Sequence, residues 1–243
     1  MDFERTKMRI IKVQLIVILT LVGLVSIPAF AQKTSDIDWT SDFSSERPDL
    51  THTGRNYYFI LEPGYTLTLA DGEKQLVITV TNETRVVDGV TTRIVEERES
   101  EGGHLSEISR NFFAISKRTD SVYYFGEEVD IYKNDKIVKH EGAWLAGVNG
   151  ARFGLMMPGL PLIKGRYFQE FAPGTAMDRG EIISLSETLK TPAGEFRNCL
   201  KTEDTSQIEP GKEFKYYAPG VGLVREETLK LVKYGFDQIA KPS

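Results

Sequence analysis

Apolar and polar positions alternate along most of the chain from Tyr57 onward. Residues 65–70 alternate large apolar side chains with Thr or Ala, and residues 76–81 alternate in the same way after the pair Asp71-Gly72. A period of two is the period of a strand that buries one face. Asp-Gly is the turn chemistry that two-residue hairpin loops prefer. These residues therefore predict a β-hairpin.

The same alternation predicts further strands down to the C-terminal region. They fall at 84–87, 90–100, 105–116, 121–125, 129–133, 136–140, 167–171, 181–190, 196–203, 213–218, 222–227 and 229–234. Five Pro-Gly pairs, beginning at positions 63, 158, 173, 210 and 219, supply turn residues between them. Because an open sheet of about a dozen strands curls or closes, we predict an all-β, mainly antiparallel fold: a curved meander, barrel or half-barrel.

The alternation breaks between Gly142 and Gly165, where glycines are followed by an apolar run. A loop of this length inside a compact domain is often functional. Two interpretations stand: the run plugs one end of a barrel, or it forms an adaptable lip over a cavity, a role that suits Met. The second interpretation gives six candidate ligand-binding residues, which are Trp144, Phe153, Met156, Met157, Leu160 and Leu162.

The N-terminal region has the pattern of a secretory signal. A basic segment is followed by the apolar stretch 13–30, and the sequence Ala29-Phe30-Ala31 offers small residues at the two positions that signal peptidase reads. An uncleaved membrane anchor is the alternative, because the stretch approaches the length of a membrane span. We expect a signal peptide at 1–31 that is cleaved after Ala31, a polar flexible arm at 32–55, and a single β domain at 56–243.

Cleavage would leave 212 residues and remove two net positive charges from a chain of net charge −5, so the mature chain would carry −7. This acidity disfavours nucleic acid and anionic membranes as partners, and we expect no integral membrane span after cleavage. Cys199 is the only cysteine, so no internal disulfide can form; whether its thiol is reactive stays open.

Candidate chemistry is sparse, and no known catalytic, cofactor or metal-binding motif is present. We therefore predict no cofactor, no metal and no catalytic residue. Glu97, Glu99 and Glu101 share a strand face, which is compatible with a cation site or an acid/base pair, but a solvated face is the simpler interpretation. His140, with Glu141, Glu127 or Asp130, is the alternative centre of a hydrolase or metal-dependent enzyme.

Two C-terminal segments carry a resemblance to a known group of proteins. Residues 191–203 read TPAGEFRNCLKTE, and residues 213–226 read EFKYYAPGVGLVRE. This pairing resembles a recurrent signature of an uncharacterised family of exported bacterial β-rich proteins. The strand pattern alone is similar to that of the periplasmic lipoprotein-carrier half-barrels, a likeness at the level of fold. The resemblance implies a carrier-like fold and supplies no catalytic residues.

Together these patterns predict a non-enzymatic, extracytoplasmic (periplasmic or secreted) protein that binds a lipid or another apolar or amphipathic small molecule. A structural or interaction module of the cell envelope is the first alternative, and the enzyme centred on His140 is the second. The identity of the ligand, any protein partner, the oligomeric state and whether the interior is hollow stay open at this stage.

Overall fold

The computed structural model describes residues 39–140 and 142–236. These residues contain a short 3-10 helix at Ser44–Asp49 and eighteen strands. The strands are β1 (Leu50–Thr51), β2 (Gly54–Asn56), β3 (Phe59–Leu61), β4 (Tyr65–Asp71), β5 (Lys74–Val87), β6 (Val90–Glu101), β7 (His104–Ser116), β8 (Val122–Lys133), β9 (Lys136–His140), β10 (Trp144–Leu145), β11 (Arg152–Met157), β12 (Arg166–Phe168), β13 (Glu170–Phe171), β14 (Asp178–Thr191), β15 (Gly194–Ser206), β16 (Glu213–Ala218), β17 (Gly222–Glu226) and β18 (Leu229–Phe236).

Thirteen strands follow one another in a single antiparallel path that closes almost completely into a barrel. Their order is β12-β14-β15-β16-β17-β18-β4-β5-β6-β7-β8-β11-β13. The two ends of the path, β12 and β13, are joined along the chain through Gln169, so one short segment crosses from one edge to the other. The predicted all-β, antiparallel, curved fold is confirmed.

The alternation in the sequence determines which side chains enter the barrel. In β4, Tyr65, Leu67 and Leu69 are buried, whereas the residues between them are half-buried on the opposite face. The turn between β4 and β5 contains Gly72 with a φ of +59°, a conformation that suits glycine. The two-residue alternation of apolar and polar side chains therefore determines both the hairpins and which side chains face the interior.

A hairpin formed by β2 and β3 closes one end of the barrel. Asn56 Nδ2 donates hydrogen bonds to the Asp120 and Pro158 carbonyls at 2.8 and 3.1 Å, and the Gly220 N–H donates to the Tyr57 carbonyl at 2.8 Å. Three separate turns at this end are thus tied to one hairpin. We call it the closed end, and the opposite end, which carries the loop 207–212 between β15 and β16, the polar end.

The segment 142–165 is not one long loop, because it contains β10 and β11. β11 pairs with β8 on one side and with β13 on the other, and its register breaks between Leu155 and Met157. Gly154 lies so close to the backbone of residues 168 and 169 that a Cβ there would overlap the Gln169 carbonyl. An irregular strand of this kind shows no alternation, so the sequence pattern could not reveal it.

The described part of the expected arm, residues 39–55, contains the 3-10 helix, β1 and the whole of β2 except Asn56. Arg118 pairs with Glu46 and, at 3.0 Å, with Asp49, which links this helix to the β7–β8 turn. The expected signal peptide, residues 1–31, lies outside the described residues. Within the described ranges, no helix has the length and apolar character needed to cross a membrane.

Candidate functional site

An apolar chamber lies in the barrel interior, and a polar chamber adjoins it at the polar end, where half of its lining residues are exposed. The apolar chamber has a volume of about 100 Å³, and six of its lining side chains are Phe59, Ile78, Val80, Val95, Phe113 and Leu223. The polar chamber has a volume of about 350 Å³ and is lined among others by Gln169, Glu170, Asp178, Asp204 and Glu213. Met156 and Lys215 line both chambers, so they mark the boundary.

The apolar chamber is built by inward-facing rows and by the hairpin at the closed end. Ile78 on β5 and Val95 on β6 belong to the predicted alternating rows. Phe59 comes from β3 and packs edge-on against Phe113 of β7, with 5.2 Å between ring centroids. The hairpin therefore closes the chamber at its base.

Towards the polar end, the inward-facing side chains change from apolar to acidic. Leu200 and Thr202 of β15 are buried in the same row as Asp204. In the neighbouring row of β16, Lys215 lies nearer the polar end than the buried Tyr217. Six carboxyl groups on six strands belong to this zone, which we call the acidic ring. Its members are Glu97, Glu127, Glu170, Asp178, Asp204 and Glu226.

The ammonium group of Lys215 lies in this zone and forms ion pairs with two members of the acidic ring. Its Nζ lies 2.8 Å from Glu226 Oε1 and 3.9 Å from Asp204 Oδ2. Burial alone would lower the pKa of Lys215, but these two carboxylates raise it well above the ordinary value. Lys215 therefore stays charged throughout the physiological pH range.

Several carboxyl groups of the ring have raised pKa values. Burial, with Glu226 nearby, raises the pKa of Glu97 to about 8, and burial raises the pKa of Glu127 to about 7. Burial and the Glu127 charge raise the pKa of Glu170 well above its ordinary value, and burial raises that of Asp204. Because like charges and desolvation disfavour ionisation, part of the ring holds protons near neutral pH.

Asp204 has an unused acceptor inside the site. Its Oδ1 is buried without a hydrogen-bond partner, and the residue is only 9 % exposed although it lines the polar chamber. Its other oxygen, Oδ2, lies 3.5 Å from Gln169 Nε2. Buried acceptors without partners are rare because each one costs free energy. Asp204 is therefore a specific candidate for ligand contact.

Of the six residues predicted to bind a ligand, the structure brings Met156 to the chambers. Phe153 and Met157 are buried in the core, where Phe153 stacks on Phe125 at 4.6 Å between ring centroids. Trp144 lines a separate pocket of about 230 Å³. Leu160 and Leu162 are 79 % and 65 % exposed in the loop after β11. Ligand contact by any of the six stays a prediction.

His140, the alternative catalytic candidate, lies on the outer face of the barrel. Its Nδ1 is 2.7 Å from Asp130 Oδ1, and Asp130 also accepts a hydrogen bond from Arg110 at 3.0 Å. The Arg110 guanidinium lowers the pKa of Asp130, and the His140 side chain is 74 % exposed. Among residues 39–140 and 142–236, no three His, Cys, Asp or Glu side chains are grouped to hold a metal ion. Glu141 lies outside the described residues.

The sequence patterns missed Asp204, Lys215 and Glu226. Asp204 stands in phase with Leu200 and Thr202, at a position where alternation demands an inward side chain. A charged residue in the apolar phase of a strand is the signal that could have identified it. Glu97 was considered as part of a solvated face, but it lines the apolar chamber, while its neighbour Glu96 pairs with Arg98 outside at 3.2 Å.

No protein-family model, curated protein or solved structure matches this chain. The resemblance to exported bacterial β-rich proteins therefore stays a prediction. The geometry of the interior is the basis for the functional argument.

Proposed function

We propose that this protein is a non-enzymatic binding protein that holds an amphipathic small molecule inside its barrel. The apolar part of the molecule lies in the apolar chamber, and its polar head lies in the polar chamber. The observation that carries this proposal is the contact of two chambers of opposite character at Met156 and Lys215. Ligand pockets typically combine an apolar lining with a few polar groups that fix orientation.

The chamber volumes indicate the size of the ligand. An apolar chamber of about 100 Å³ is smaller than the engineered cavity of about 150 Å³ that binds benzene, so a short alkyl chain suits it better than a ring. The polar chamber adds about 350 Å³. Together they reach the range of about 300–1,000 Å³ found for small-molecule sites. Each methylene that enters the apolar chamber contributes about 0.8 kcal/mol to binding.

A titration with 1-hexanol tests the proposal with two matched variants of one strand. Ile78→Trp fills the apolar chamber, whereas Val77→Trp places the same indole on the opposite, outer face of β5. We expect the wild type and Val77→Trp to bind 1-hexanol in calorimetry, and Ile78→Trp to lose at least about tenfold in affinity. Absence of binding to the wild type, or equal affinity for both variants, would contradict the proposal.

A complementary measurement looks for the natural ligand. The purified protein is extracted with organic solvent, and the extract is analysed by mass spectrometry beside an extract of Ile78→Trp. A molecule that is enriched with the wild type and depleted with the variant supports the proposal. Repeated absence of any co-purifying molecule, together with a filled interior in solution, would favour the role of a structural module.

We also propose that the protein acts outside the cytoplasm after cleavage behind Ala31, on the basis of the basic and apolar N-terminal segments and the Ala29-Phe30-Ala31 sequence. Expression of the full chain in a bacterial host, fractionation and N-terminal sequencing test this. The expected N-terminus of the extracytoplasmic protein is Gln32, and Ala29→Arg should block the cleavage. An intact N-terminus in the cytoplasmic fraction would contradict it.

A further inference from the structure

The interior charges of the polar end are unbalanced in favour of carboxylates. Lys215 already has two partners, with Glu226 Oε1 at 2.8 Å and Asp204 Oδ2 at 3.9 Å. Glu97, Glu127, Glu170 and Asp178 stand in the same zone, and Glu213 also lines the polar chamber. The second ammonium group of the polar chamber, Lys212, pairs with Glu203 at 2.9 Å. An anionic head group would have to separate Lys215 from Glu226 or lie among these carboxylates, and both arrangements are unfavourable.

A second observation, independent of the excess of carboxylates, is the Oδ1 atom of Asp204, which has no hydrogen-bond partner. It indicates which charge a ligand group next to Asp204 should carry. The Lys215 ammonium favours the ionised form of Asp204, and an ionised carboxylate oxygen only accepts hydrogen bonds, so the partner of this form must be a donor or a cation. The side chain is nine-tenths buried and lines the polar chamber, so any partner beyond the neighbouring Thr202 hydroxyl has to come from the chamber. Charge-assisted hydrogen bonds from an ammonium group would satisfy it.

Aromatic side chains next to the acidic ring suit the same kind of group. Phe59, Tyr65, Phe113 and Tyr217 all line the apolar chamber, which Glu97, Lys215 and Glu226 border. The faces of aromatic rings attract organic cations, and quaternary ammonium groups are recognised in this way. A cation that carries a short apolar chain therefore finds complementary surfaces on both sides of the boundary.

We propose that the head group, bound where the two chambers meet, is a monovalent organic cation, an alkylammonium or quaternary ammonium group, with Asp204 and Glu97 as its counter-charges. This inference rests on the proposed function and specifies the class of ligand. It also predicts that binding is coupled to proton release, because a cation stabilises the ionised form of nearby carboxyl groups.

The direction of this coupling follows from the surroundings of Glu97. Glu226 on β17, Glu127 on β8 and Glu99 on its own strand disfavour its ionisation, and Lys215 on β16 favours it. Its cross-strand neighbours Ile78 on β5 and Ser109 on β7 carry no charge. With a pKa of about 8, Glu97 is largely protonated at pH 6. A bound cation displaces this proton, so affinity should increase from pH 6 to pH 8.

Ligands that share one tail and differ in the head test the inference on the intact chain. Hexyltrimethylammonium, 1-hexanol and hexanoate are titrated at pH 8 into the wild type, Asp204→Asn, Glu97→Gln and the control Glu96→Gln. Glu96 lies beside Glu97 on β6 but forms its ion pairs on the outer face. Hexyltrimethylammonium carries a permanent charge, so its own titration does not contribute to the pH dependence. Retained 1-hexanol binding shows that a variant keeps its chamber.

We expect hexyltrimethylammonium to bind at least about tenfold more tightly than 1-hexanol, and hexanoate to bind more weakly than both. Asp204→Asn and Glu97→Gln should lose most of this preference, and Glu96→Gln should keep it. The affinity for hexyltrimethylammonium should increase severalfold from pH 6 to pH 8 in the wild type and less in Glu97→Gln.

Binding of 1-hexanol or hexanoate as tightly as hexyltrimethylammonium would overturn the inference and leave the proposed function in place. Failure of all three ligands would overturn the proposed function itself. Stoichiometric binding of CaCl₂ alone that Asp204→Asn abolishes would also overturn the inference, because the zone would then be an inorganic cation site.

Discussion

Lys215 on β16 and Glu226 on β17 form a direct cross-strand ion pair inside the barrel, with 2.8 Å between Nζ and Oε1. Both side chains are largely buried, at 28 % and 22 % exposure. The pair stands where the apolar chamber meets the polar one, so it maintains a charged boundary within the interior. Its removal should therefore affect both stability and the chambers.

Lys215→Met should destabilise the fold, because it leaves Glu226 and Asp204 without their buried cationic partner. We expect a loss of about 3 kcal/mol in the free energy of unfolding, at the low end for a broken buried pair because both groups are partly exposed. Urea denaturation measures it. The control Lys230→Met removes an exposed ammonium from β18 and should change stability by less than about 0.5 kcal/mol. Equal effects of the two substitutions would contradict the role of the pair.

The stability of the protein should decrease as the pH rises from about 5 to about 8. Glu97 and Glu127 have pKa values of about 8 and about 7 in the folded state, above the ordinary value of 4.5. The folded state then binds more protons than the unfolded one, so the contribution is complete below about pH 4.5 and is lost as the pH passes the folded pKa values. Denaturation at several pH values measures this slope.

Groups with lowered pKa values do not offset this trend within that window. Glu62, next to Arg55, and Asp130, next to Arg110, are ionised in both states above about pH 5, so their contributions stay constant there. Glu97→Gln should flatten the decrease, and the outer-face control Glu96→Gln should leave it unchanged. A wild-type stability that increases between pH 5 and pH 8 would contradict the placement of these carboxyl groups.

Phe59→Ala should open the apolar chamber at its base and destabilise the hairpin. Phe59 packs against Phe113 and lines the chamber, so we expect a loss of about 3 kcal/mol, as for other large-to-small core substitutions. Tyr57, on the same hairpin, is 62 % exposed, and Tyr57→Ala should cost about 0.5 kcal/mol. Thermal denaturation compares them. Similar losses for both would show that the hairpin does not close the chamber.

The thiol of Cys199 should be unreactive in the folded protein. It is fully buried, and burial, with Glu187 nearby, raises its pKa to about 11, so little thiolate is present at pH 8. We expect 5,5′-dithiobis(2-nitrobenzoate) to react about a hundredfold more slowly with it than with the exposed thiol of Ser186→Cys in a Cys199→Ala background. Comparable rates would contradict its burial.

Local signals in the sequence were sufficient to predict the hairpins and the inward-facing rows. Alternation and the Asp71-Gly72 and Asp88-Gly89 turns identified β4 and β6, because each strand buries one face. The same signals divided β5 into two strands, 76–81 and 84–87, at the register shift between Val80 and Thr84. β11 was missed, since its register break removes the alternation. The β2–β3 hairpin was missed because strands of three residues are too short to show a period.

The site could be predicted only in part, because it depends on closure of the barrel. Glu97 belonged to an acidic run that also fits a solvated strand. Glu97 lies near Lys215 and Glu226, which are more than 115 residues away in the sequence. This proximity follows from the pairing of β18 with β4. Local patterns carry no information about such non-local pairing, which is fixed by the complete sheet.

The most direct test of a ligand inside the barrel is an NMR measurement on protein with labelled Ile, Leu and Val methyl groups, in the presence of hexyltrimethylammonium. We predict intermolecular nuclear Overhauser effects between the hexyl chain and the methyl groups of Ile78, Val80 and Leu223, which line the apolar chamber. Effects confined to the exposed side chains Leu160, Leu162 and Ile163 would place the ligand on the surface loop and contradict the account.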